Sequence, residues 1–119
     1  MKTPVVALPV EKGTAVQGVV KAHTVAPAPG SVPYKDCVVA VTLQVTKVVS
    51  GKVDAQEILV YTWGLRDNRL VNTGIENGKT LTIKLTPWAD AEGAYGGINR
   101  VEPTDDASLF LDAYWGEVR

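Results

Sequence analysis

The sequence predicts an all-β domain, and three features carry that expectation. Nineteen of the 119 residues are valine and eleven are threonine; residues branched at Cβ lose rotamer freedom in helices and pack well on a pleated surface. Eleven glycines and seven prolines are spread so that few windows could hold three uninterrupted helical turns. Between Tyr34 and Val49, where no glycine or proline falls, Cys37, Val39, Val41, Leu43 and Val45 repeat at period two, with Thr42, Gln44 and Thr46 on the other face.

The same window also places Val38, Val41, Val45 and Val48 at helical spacing, but the residue types favour a strand. It would be far longer than the usual ~5–6 residues. Its alternation breaks at Lys47-Val48-Val49, as a bulge would require. A long strand that bends at a bulge can pair on both sides of a small closed sheet, so the expected architecture is a small antiparallel, OB-like β-barrel.

The remaining strands follow in order. Ala15 to His23, Glu57 to Trp63, Thr80 to Thr86 and Ser108 to Trp115 complete a set of five, with shorter candidates at Arg69 to Thr73 and Ile98 to Glu102. Ser50-Gly51-Lys52 closes the long strand, and Asn77-Gly78 precedes the alternating Leu81, Ile83 and Leu85. Both are turn chemistry. Three prolines make Ala26 to Pro33 a stiff extended link. Pro87 to Asp106, with Gly93, Gly96 and Gly97, reads as one long irregular loop. A chain of this length makes one domain, here a barrel over 15–119 preceded by an extended segment over 1–14.

Charge narrows the function classes. Twelve Lys and Arg against thirteen Asp and Glu give a net charge of -1 without blocks, which argues against nucleic acid or an anionic membrane as partner. No apolar run approaches the ~20 residues that span a bilayer. Prolines interrupt the N-terminus before a signal-peptide core forms, so the chain as given reads as soluble. The single cysteine excludes an internal disulfide and a cysteine-based zinc site.

The catalytic inventory is thin, and the expectation is a non-enzyme without cofactor or metal. Cys37 lies on the apolar face of the long strand, where a thiol is usually a small buried hydrophobe, so a dyad with His23 is disfavoured. Ser31, Ser50 and Ser108 lack a nucleophile-elbow context. Asp67 with Asp105 and Asp106 is the only suggestive carboxylate set, but neighbouring aspartates are more naturally turn residues. Asp90, Glu92, Glu102, Asp105 and Asp106 do not follow EF-hand spacing.

Aromatic residues carry more information. Tyr61, Trp63, Trp88, Tyr95, Tyr114 and Trp115 gather at strand ends and in loops. An indole there either plugs the barrel end or stacks on a sugar or a partner protein. Trp63, Arg66, Trp88, Tyr95 and Arg100 are the expected binding patch. Arg66 beside Asp67, paired with Asp105 or Asp106, is the expected structural clamp.

Four stretches then suggest a family: Val32-Pro33-Tyr34-Lys35-Asp36, Ile58 through Asp67, Thr104-Asp105-Asp106 and Tyr114-Trp115. Over about Val16 to Trp115 the chain resembles a β-rich accessory region of bacterial proteins that also carry an SGNH domain similar to alginate O-acetyltransferases. The strand-turn rhythm is also similar to netrin-like barrels. The first resemblance implies a non-catalytic accessory module in cell-surface polysaccharide modification, exported to the periplasm or beyond, binding glycan or a partner protein. A chain native as given would instead be cytoplasmic. SGNH chemistry needs a serine near the start of its domain and an Asp-x-x-His near its end; Lys21-Ala22-His23-Thr24 does not supply the latter, so no catalytic residue carries over. The alternative is a self-assembling subunit whose segment Val5 to Val10 adds to a neighbour's sheet edge.

Overall fold

The structure, a computed structural model, describes residues 14–118. The N-terminal segment, apart from Thr14, and the edge-pairing stretch Val5 to Val10 lie outside the described residues, as does the side chain of Asp106. Nine elements follow in order: β1 Ala15–His23, β2 Cys37–Ser50, β3 Glu57–Arg66, β4 Arg69–Leu70, β5 Thr80–Pro87, α1 Trp88–Tyr95, β6 Arg100–Val101, α2 Asp106–Leu109 and β7 Ala113–Val118.

Five of these strands close on themselves. β1 pairs with β2, β2 with β3, β3 with β7, β7 with β5, and β5 returns to β1. All are antiparallel except β3–β7. This is the OB-like barrel that the long strand implies. β2 is 14 residues long and makes the closure possible: Cys37 to Gln44 pair with β3, while Val41 to Ser50 pair with β1. Register slips between Ala15 and Val16 and between Gln17 and Gly18 leave Val49 and Thr46 of β2 as the extra residues. The broken alternation around Lys47 to Val49 is thus a real bend, and bulges there raise the local twist.

Side chains of alternate residues fill two cores. Val16, Val20, Val41, Leu43, Ile58, Val60, Ile83 and Leu85 fill the barrel, with Ile75 closing it. The other faces of β2, β3 and β7 present Val38, Ala40, Leu59, Tyr61 and Trp115 to a second cluster, covered by Trp88, Ala91 and Tyr95 of α1. Cys37 to Leu43 are therefore buried on both faces, not on one, because α1 and the segment after it lie over the outer face.

Three expectations are corrected. The irregular loop from Pro87 to Asp106 contains α1. Its Trp88, Ala91 and Tyr95 recur at helical spacing and face the sheet, and Ala89, Ala91 and Ala94 supply helix propensity. Asp90 in its first turn complements the helix dipole. The strand expected from Ser108 to Trp115 is divided: α2 takes the first residues and the strand runs Ala113–Val118. The shorter candidates shrink to β4 and β6.

Asp67 is a hairpin residue. Asp67 and Asn68 connect β3 to β4 with φ of 53° and 63°, the primed turn that matches strand twist, and Asp and Asn reach left-handed geometry with least strain. The Asp67 amide donates to Asp36 Oδ1 at 2.8 Å.

Candidate functional site

The outer faces of β3 and β7 assemble the aromatic residues. Parallel pairing sets Tyr61 opposite Trp115. Tyr95 of α1 stacks on Trp115 with centroids 3.8 Å apart and planes at 8°. Trp63 meets both rings edge-on, at 5.9 Å from Tyr95 and 5.5 Å from Trp115. Trp88 leans on Tyr61 at 4.8 Å.

Arg100 enters from β6, its guanidinium 5.0 Å from the Tyr61 ring centre and 5.1 Å from that of Trp88. Its Nε donates to Glu102 Oε2 at 3.0 Å, and Tyr61 donates its hydroxyl to Glu102 Oε1 at 2.6 Å. Burial first, and then the Glu102 carboxylate, push the Tyr61 hydroxyl well above the usual phenol range. Tyr61 therefore stays a proton donor at any physiological pH.

The five residues expected to form a binding patch separate into two groups. Trp88, Tyr95 and Arg100 are engaged in fastening α1 and β6 to the sheet. Trp63 and Arg66 border a groove of about 200 Å³, with Thr62, Asn72, Glu117 and Val118 on its other sides. Trp63 is half-buried and Arg66 exposed. The Arg66 guanidinium lies 4.7 Å over the indole. Asn72 holds the strand beneath: its side-chain amide donates to the Trp63 carbonyl at 2.8 Å, from a backbone with φ of 53°.

The expected Arg66–Asp105 pair is absent, and the side chain of Asp106, the clamp's other candidate, lies outside the described residues. Among the described residues Arg66 pairs with no carboxylate. Asp105 is instead the N-cap of α2, accepting from the Ser108 amide at 2.9 Å and the Ser108 hydroxyl at 2.7 Å. Ser108 in turn meets Thr42 Oγ1 at 2.9 Å, which ties α2 to β2. The sequence signal was Asp105 followed three residues later by Ser108, a capping spacing. Those hydrogen bonds hold the Asp105 carboxyl below the usual carboxylate range. A depressed folded value means its contribution to stability is complete above the unfolded value and disappears as pH falls through the folded one. The Ser108 amide resonance is expected to titrate below the ~3.9 of an unperturbed aspartate; a midpoint at or above it would contradict the cap.

The other nucleophile candidates take structural places. Cys37 is buried, its Sγ 3.6 Å from the Val38 carbonyl, and burial pushes its thiol up. His23 Nδ1 lies 3.1 Å from the Thr24 carbonyl. Among the described residues no group of three or more His, Cys, Asp or Glu side chains is placed to hold a metal ion, and no helix is long and apolar enough to cross a membrane.

The fold and groove define a small OB-like barrel with an arginine-capped indole at its edge. Comparison with known protein families, curated proteins and solved structures finds no match to the chain.

Proposed function

We propose that this chain is a non-catalytic binding module that takes an acidic glycan in the groove between Trp63, Arg66 and Glu117. One observation carries the reading: the Arg66 guanidinium lies 4.7 Å over the Trp63 ring with no carboxylate partner among the described residues. A cation–π contact does not use up the five N–H donors of a guanidinium, which can still bind a planar anion. The indole edge and Val118 supply apolar contact for a sugar ring. The groove is smaller than the ~300 Å³ at which drug-sized ligand pockets begin, which suits one residue of a longer chain passing over the surface. Cell-surface polysaccharide modification is the context the family resemblance implies, with the chemistry performed by a separate domain.

Titration of tryptophan fluorescence with a uronate polymer and with a neutral glucan tests this. The uronate polymer is expected to shift the emission and the neutral one to shift it less. Arg66→Ala is expected to weaken uronate binding by about 10-fold or more, since a charge-assisted hydrogen bond contributes ~1.5–3 kcal/mol. Arg66→Lys should recover only part, and Trp63→Ala should weaken both polymers. Equal responses of wild type and Arg66→Ala, or none from wild type, would sink the proposal.

A further inference from the structure

A second cleft neighbours the proposed glycan groove, with Asn72 lining both. This cleft of about 210 Å³ lies between the link after β1 and the segment after β4, and Val25, Ala26, Val39, Leu70, Val71 and Ile75 supply its apolar wall. Gly64 keeps it open on the β3 side: a Cβ there would sit 2.5 Å from Val39 Cγ1 and 3.0 Å from Ala26 Cβ. Two rim residues are displayed to solvent, Val25 at 72% and Leu70 at 48% exposure. Such a cleft is too small for a drug-sized molecule but matches one large side chain.

The chain presents such a side chain elsewhere. Phe110, just after α2, is 88% exposed, the highest value among the described large apolar residues, and Leu109 beside it is 48% exposed. Backbone hydrogen bonds from the Phe110 and Leu111 amides to Ala107 and Ser108 carbonyls hold this knob in a defined turn. It stands at the opposite end of β3 from the cleft. The Leu59 amide donates to Asp112 at 2.9 Å, whereas Gly64 borders the cleft, about 17 Å further along at ~3.4 Å per residue. Charge at the two places is complementary: exposed Asp112 follows the knob, and exposed Arg69 precedes Leu70 at the cleft rim.

We propose that Phe110 of one copy of this chain inserts into the Val25–Leu70 cleft of a second copy. Because knob and cleft are different surfaces of one molecule, the contact is head-to-tail, and it propagates unless its rotation closes a ring. One aromatic ring buries ~150–250 Å², far below the ~1,200 Å² of a stable interface. The association is therefore weak in solution and gains strength where copies are held close together.

Sedimentation of the full chain over a concentration series tests this, with Phe110→Asp removing the knob and Leu70→Asp spoiling the cleft. Both residues are exposed, and unchanged near-ultraviolet circular dichroism would verify that each variant is folded. Wild type is expected to sediment faster as concentration rises into the sub-millimolar range, and each variant alone to stay monomeric. Mixing the two variants is expected to restore a dimer and nothing larger, because only one knob and one cleft remain. A wild type that stays monomeric throughout, or variants that associate as wild type does, would overturn the proposal. So would a mixture no larger than its components.

Discussion

Gly116→Ala is expected to destabilise the barrel by ~1–3 kcal/mol, the usual cost of overpacking, and Gly116→Val by more. Gly116 sits in β7 opposite Leu85 of β5, at the seam where β7 runs between β3 and β5. A Cβ there would point into the barrel against Val60 Cγ1 and only 2.7 Å from Ile83 Cγ2. Both neighbours are fully buried and stiff at χ1, so neither can turn aside. Because small domains are stable by only ~5–15 kcal/mol, the valine variant is expected to lose much of its folded population. Urea unfolding measures this. The double variant Gly116→Ala with Val60→Ala should recover part of the loss, since the two sites share one volume. An unchanged unfolding midpoint for Gly116→Val would mean that β7 does not close the barrel at this position.

Trp115→Ala is expected to cost ~3–5 kcal/mol, the range for removing a buried aromatic. Trp115 is buried beneath Tyr95 and meets Trp63 edge-on, so its loss withdraws the platform on which the end of α1 rests. It also removes the ring that supports Trp63 at the groove, and glycan binding should fall along with stability. Trp115→Phe separates packing from hydrogen bonding. The indole Nε1 is buried without a partner among the described residues, and a buried unpaired donor carries a penalty of ~1–3 kcal/mol. Phenylalanine removes that donor while keeping a ring for Tyr95 to stack on. Trp115→Phe should therefore lie much closer to wild type than to Trp115→Ala in urea unfolding. Equal losses for the two variants would mean that the indole N–H has a partner after all.

The barrel was legible because strand signals are local. Period-two alternation from Cys37 to Val45, the broken pattern at Lys47 to Val49, and glycine at positions 51 and 78, where φ is 73° and 88°, each report on a few adjacent residues. The helix over Trp88 to Tyr95 was less legible. It spans only two turns, contains Gly93 and follows Pro87, and its signal is three residues facing a sheet that is distant in sequence. At α2 a familiar cap lay in Asp105 and Ser108, hidden because Asp105 also suits an ion pair with arginine.

The site divides in the same way. Aromatic and arginine positions were visible as residue types away from the core stripe. Which of them remain available depends on where α1 returns to the sheet, and that depends on burial across dozens of residues of separation. Trp88, Tyr95 and Arg100, half-buried like Trp63, pack α1 and β6 on the sheet, while Trp63 and Arg66 line the groove. The sequence alone determined an extended, valine-rich chain bent into a small barrel, since rotamer restriction and alternation act within a few residues of each other. Only the tertiary structure decided which face of β3 is roofed, which arginine meets a carboxylate and where a groove remains, because those outcomes rest on burial between segments that the chain order keeps apart.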